Sequence, residues 1–122
     1  MAIVNQVQKK IRMDQWDIVK FQLTIHSYLK RISLTELDLN CLTLLAITGE
    51  QTLNEFCEKA SQNKIFGSNQ SVRNALAKAD NRQLIHKIGR GKKRISLNIP
   101  NIQANGNILL DFKVLSIDPK ES

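Results

Sequence analysis

The sequence predicts an α+β fold: three helices, then a β-hairpin with a basic tip, then one extra C-terminal strand. Three observations predict it. Apolar residues recur at helical spacing in three successive stretches, each opened by a Ser or Thr able to cap a helix. Two short alternating runs flank Gly89-Arg90-Gly91-Lys92-Lys93, which has the composition of a hairpin turn. A last alternating run follows a loop rich in Asn and Gly.

Taken in order, residues 14–32 fit two patterns. Val19, Phe21, Leu23 and Ile25 alternate as in a strand, whereas Ile18, Phe21, Ile25, Tyr28, Leu29 and Ile32 recur as on a helix; the length favours the helix and the β-branching favours the strand. Thr35 with Asp38 makes a capping-box-like start, and Leu37, Cys41, Leu44, Leu45 and Thr48 share a face before Gly49 stops the helix. Thr52 with Glu55 is a full S/T-x-x-E box, followed by the stripe Leu53, Phe56, Cys57 and Ala60. The connection Lys64-Ile65-Phe66-Gly67 offers two apolar plugs for the core and a Gly for a positive φ. Ser68 then caps a helix whose stripe is Val72, Ala75, Leu76 and Ala79, so the opposite face displays Asn69, Gln70, Arg73, Asn74 and Lys78. Strands are expected over 84–88 and 94–99, ended by Pro100, and over 108–117, where Ile108, Leu110, Phe112 and Val114 alternate. Residues 118–122 read as a tail.

With 122 residues the chain fits one domain, 1–122, divided into an N-terminal extension (1–33), a core (34–99) and a C-terminal strand and tail (100–122). No stretch reaches the roughly 18 apolar residues of a membrane span, and the polar N-terminus lacks a signal-peptide core, so a cytoplasmic location is expected. Cys41 and Cys57 fall on buried faces and read as reduced core thiols. With only His26 and His86 to join them, no metal or cofactor is expected.

The charge is unevenly placed. Residues 1–32 carry +4, residues 33–61 carry −4, residues 62–100 carry +8 and residues 101–122 carry −1, for a total of +7. A basic segment of this kind suits a phosphate-facing surface, because each neutralised phosphate releases condensed counterions. The plain alternative is a solvated basic face that keeps the protein dispersed.

The order helix, helix, turn, helix, basic hairpin is that of a winged helix-turn-helix, with residues 68–80 as recognition helix and Gly89–Arg94 as wing. The major groove admits one helix, which must show short polar side chains near its N-terminus. Ser68, Asn69, Gln70, Ser71, Arg73 and Asn74 meet that need, with Lys78 further along. Asn and Gln amides can pair with adenine and Arg with guanine or phosphate. Lys87, Arg90, Lys92, Lys93 and Arg94 would clamp the backbone. The expected partner is duplex DNA, and the expected role regulation of transcription.

On these motifs, the stretch 34–99 resembles the winged-helix core of bacterial regulators of the multiple-antibiotic-resistance (MarR) type. "LTELDLNCLTLLAITGEQTLNEFCEKA" is similar to their two leading helices, and "SNQSVRNALAKADNRQLIHKIGRGKKRISLN" to their recognition helix and wing. The wing lacks the Asp-containing motif usual there, and Gln83 stands where a Gly often precedes the first wing strand. A strand also replaces the dimerising helix, so the family's dimer is not implied. "ISLNIPNIQANGNILLDFKVL" resembles the region after the wing in winged-helix plasmid replication proteins, which implies a replication-associated alternative.

Catalytic motifs are lacking: there is no G-x-S-x-G, no phosphate loop, no H-E-x-x-H and no usefully spaced carboxylate pair. Asp80 beside Arg82 reads as a local helix-end interaction. A second function class stays open, a phage or mobile-element assembly protein of head-to-tail type, located in the virion. It would make its homo-oligomeric or partner contacts through residues 14–32 and 108–117, which carry more apolar residues than a small core needs.

Overall fold

The described residues, 2–91 and 93–116 of a computed structural model, form four α-helices and two antiparallel sheets. The helices are α1 (Gln15–Leu29), α2 (Glu36–Thr48), α3 (Leu53–Ser61) and α4 (Asn69–Asn81). The strands are β1 (Ile3–Ile11), β2 (Gln51–Thr52), β3 (Ile85–Ile88), β4 (Arg94–Leu97) and β5 (Ile108–Leu115). The order β2-β4-β3 makes one sheet, and β1 pairs with β5 in a separate ribbon. This α+β arrangement is compatible with a winged helix, but the expectation of three helices is short by one.

The extra helix is α1, which packs along α2 and puts Val19 and Leu23 into the core at 1% exposure each. Asp14 caps it by accepting from the Asp17 amide at 2.8 Å. The helical reading of this segment holds, but its inward face is different. Ile18, Val19, Leu23 and Ser27 are buried, while Ile25, Tyr28 and Leu29 of the expected stripe stand exposed. Both faces are apolar, and periodicity alone cannot say which of two such faces meets a neighbour.

α2 is the central element. It meets α1, α3, α4 and β4, so its buried residues run round most of the helix: Asp38, Leu39, Asn40, Cys41, Leu42, Thr43 and Leu45. A single expected stripe therefore becomes an almost fully enclosed helix. Thr35 and Asp38 form a complete capping box, the Thr35 hydroxyl accepting from the Asp38 amide and the carboxylate from the Thr35 amide. At α3 the box is only half built. Thr52 Oγ1 accepts from the Glu55 amide at 3.1 Å, but the carboxylate is met by the Thr52 hydroxyl rather than the Thr52 amide. Strand β2 takes up this segment, with Thr52 opposite Arg94.

β2 was not anticipated. The buried Gln51 holds it in place, its amide donating to Thr48 Oγ1 and the Gly49 carbonyl while Lys59 Nζ donates to its Oε1. In the turn before α4, Phe66 fills the core at 1% exposure and meets Trp16 edge to face at 6.3 Å, whereas Ile65 stays outside. Gly67 takes the positive φ its position needs, at 68°. Val72, Ala75, Leu76 and Ala79 of α4 are buried as expected.

α4 ends in a Schellman motif. The Leu84 amide donates to the Ala79 carbonyl and the Gln83 amide to the Asp80 carbonyl, with Gln83 in the left-handed region at φ 60°. Arg82 donates to the Ser33 carbonyl instead of meeting Asp80, so it joins α4 to the segment before α2. β3 and β4 are shorter than expected. Just past β4, the Asn98 amide still donates to the Leu84 carbonyl and its side chain donates to the Gln83 carbonyl. Residues 98–107 then return across α1, where Gln22 and Gln103 exchange two hydrogen bonds of 2.7 and 2.9 Å. The expected strand over 108–117 is observed as β5. Ile117 and the expected tail lie outside the described residues.

Candidate nucleic-acid interface

Side chains alternate across a strand, and cross-strand partners share a face. In the β3–β4 hairpin the pairs Ile85/Leu97 and Lys87/Ile95 therefore face the body, while His86/Ser96 and Ile88/Arg94 face away. The cations of the hairpin are split accordingly. Lys87 is half-buried on the inner side, Arg94 lies on the outer side, and Arg90 and Lys93 stand exposed in the turn. Lys92 lies outside the described residues. The turn is anchored at its far end, where the Leu53 amide donates to the Lys93 carbonyl at 2.9 Å. That bond sets the hairpin tip beside the start of α3.

At the head of α4, Ser68 accepts from the Ser71 amide at 3.1 Å, and the two hydroxyls meet at 2.9 Å. Both serines serve the cap. Gln70 donates to Asn74 one turn on at 2.9 Å, so these two exposed amides are oriented by each other. Asn69 is exposed with no side-chain partner among the described residues. Arg73 reaches sideways, its guanidinium donating to Asn54 Oδ1 of α3 at 3.1 Å. An open cleft of about 380 Å³ separates α3 and α4 from the hairpin, with Asn54, Glu55, Glu58 and Arg73 on one side and Gly91 and Lys93 on the other.

Three of the expected DNA-contacting cations are thus held by the protein itself. Lys78 makes an ion pair of 2.9 Å with Asp38, whose side chain is only 6% exposed. Burial raises the Asp38 carboxyl, but the Thr35 amide and the Lys78 ammonium more than offset this and hold it below the usual carboxylate range. Lys78 is a strut between α4 and α2. Arg73 is spent partly on Asn54, and Arg94 lies 3.5 Å from the Glu50 carboxylate.

The acids were the part of the site that sequence reasoning missed. Glu50, Glu55 and Glu58 belong to the −4 segment, which the fold lays against the +8 segment. The Thr52 hydroxyl, assisted by Arg94 and Lys59, holds the Glu55 carboxyl below its ordinary range, so it is charged at neutral pH. The signal was the sign change at residue 61. What the chain order could not convey is that β2 would pair with β4 and bring the two segments together.

Elsewhere, Cys41 and Cys57 are unbridged and buried. Burial, with Asp38 nearby, pushes the Cys41 thiol up to about 12, and burial also raises Cys57. Among the described residues no group of three or more His, Cys, Asp or Glu is placed to hold a metal ion, and no helix is long and apolar enough to cross a membrane. No family model, curated protein or solved structure matches the chain.

Proposed function

We propose that residues 34–99 act as a winged-helix module that binds duplex DNA, with the head of α4 in the major groove and the hairpin tip on the phosphate backbone, in the service of transcriptional regulation. One observation carries this reading. Arg90 and Lys93, exposed and without a partner among the described residues, project from a hairpin tip anchored beside α3 and α4, and the head of α4 displays Asn69, Gln70 and Asn74. Backbone cations supply affinity and neighbouring amides supply readout. The acids of α3 limit the affinity, since the local balance is far smaller than the +8 of the segment.

Binding of a mixed-sequence duplex is measured as salt rises from about 50 to 200 mM. Each phosphate contact contributes a slope of roughly −0.9 in log affinity against log salt. The double substitution Arg90→Glu with Lys93→Glu is expected to weaken all sequences alike and flatten the slope by about two contacts. Arg73→Ala is expected to relax sequence preference instead. Salt-independent binding would remove the phosphate argument.

A second reading, assembly with protein partners, has its own support. Of the ten large apolar side chains exposed among the described residues, Ile25, Tyr28 and Leu29 lie in 14–32 and Leu109, Phe112, Val114 and Leu115 in 108–117. None of the seven belongs to the proposed DNA-binding core. The two readings use different surfaces and are compatible.

A further inference from the structure

The β1–β5 ribbon stands apart: neither strand packs along a helix or along the other sheet among the described residues. Its register puts Val7, Ile11, Ile108, Leu110, Phe112 and Val114, with Asn5 and Lys9, on one face, and Gln6, Gln8, Lys10, Leu109, Asp111 and Lys113 on the other. A two-stranded ribbon with both long edges unpaired is marginal in water and is a template for further pairing. The two edges differ in chemistry. β1 carries Lys9 and Lys10 and no acid, the usual protection of an edge. β5 reads Ile-Leu-Leu-Asp-Phe-Lys-Val-Leu, with its acid and its base placed symmetrically about Phe112.

We propose that β5 pairs antiparallel with β5 of a second copy of this chain, about a two-fold axis at Phe112, giving a four-stranded sheet in the order β1-β5-β5-β1. Such an axis, perpendicular to the sheet, keeps each residue on its own face, so only registers centred on a residue are possible. Centring on Asp111 sets two aspartates opposite each other, and centring on Lys113 sets two lysines opposite each other. Centring on Phe112 sets Asp111 opposite Lys113 of the second copy, twice. It also sets Leu109 opposite Leu115, Leu110 opposite Val114, and Phe112 opposite Phe112, so every charge meets its opposite and these apolar residues meet apolar ones. The contact is isologous, as a closed dimer requires. Eight residues at about 3.4 Å each give an edge of roughly 27 Å. Strand pairing of that length falls below the roughly 1,200 Å² of a standard interface, so micromolar dissociation is expected. The inference does not depend on DNA binding.

The full chain is examined by sedimentation from about 1 to 500 μM. Asp111→Lys and Lys113→Asp, made singly, each turn two attractive pairs into two repulsive ones and are expected to raise the dimer dissociation constant about tenfold or more. Made together, they restore opposite charges and are expected to return it to within about threefold of the parent. Within the chain these positions directly face Gln8 and Gln6, and position 111 has Lys10 as a diagonal neighbour, so circular dichroism of each variant checks that the ribbon itself is kept. Phe112→Cys is expected to form an intermolecular disulfide under mild oxidation, and Gln6→Cys on β1 is not; the buried Cys41 and Cys57 do not compete. A monomer throughout the range, single reversals without effect, failure of the double exchange to restore pairing, or cross-linking at position 6 instead of 112 would each overturn the proposal.

Discussion

The two antiparallel sheets grow from the same kind of alternating sequence and end in opposite situations. The β3–β4 hairpin lays Ile85, Ile95 and Leu97 against α2 and α4, and Ile85 and Ile95 are at most 3% exposed. The ribbon lines up a largely apolar row from Val7 to Val114, broken by Lys9 and Asn5, and packs along no helix among the described residues, so Phe112 and Val114 remain 42% and 46% exposed. Alternation decides which side chains share a face. What that face meets depends on where the chain has put its helices, and here all four gather around the core that α2 organises.

The sharpest way to break this comparison is truncation in each region. Phe56→Ala, in the fully buried core, is expected to cost about 3–5 kcal/mol in urea unfolding, and Phe112→Ala less than about 1 kcal/mol at a dilution where the ribbon is unpaired. Similar costs would mean that the ribbon is part of the cooperative core. Next in size is Asp38→Ala, which removes a cap and leaves Lys78 without its partner; about 2–3 kcal/mol is expected. Because the folded carboxyl sits below its ordinary 3.8, its contribution is fully present above that value and is lost as pH falls through the folded value. Unfolding followed from pH 7 to pH 2 should therefore show a smaller acid loss in Asp38→Asn than in the parent at this site.

Two smaller effects sharpen the picture of the body. Glu55→Gln with Glu58→Gln removes acids from the cleft facing Lys93, and DNA affinity at about 100 mM salt is expected to rise several-fold. No gain would place the backbone elsewhere. Gln83→Gly relieves a left-handed residue at the end of α4 and is expected to stabilise the fold by roughly 0.5–1 kcal/mol, read as a shift in urea midpoint. The Schellman end of α4 needs a positive φ whichever residue supplies it.

Much of the body was legible because its signals are local. The caps Thr35, Thr52 and Ser68 each accept from an amide three residues on, Gly49 and Gly67 take positive φ, and the buried stripe of α4 follows its spacing residue for residue. The candidate interface was legible only in outline. Arg90 and Lys93 are exposed as the turn composition implies, but Arg73, Lys78 and Arg94 have partners 19, 40 and 44 positions away in the chain. No window of helical or strand length contains both members of such a pair.

By itself, the sequence determined three of the four helices, the hairpin turn and the last strand, since caps, periodicity and turn residues act within a few positions. Tertiary structure alone decided that α1 would bury Val19 and Leu23 rather than Tyr28 and Leu29, that Gln51 and Thr52 would join the sheet, and that residues 3–11 would find β5. These are choices between competing faces and distant partners. Their free energies come from what is buried or paired across space, and a polar strand such as β1 carries no local sign of the apolar strand that completes it.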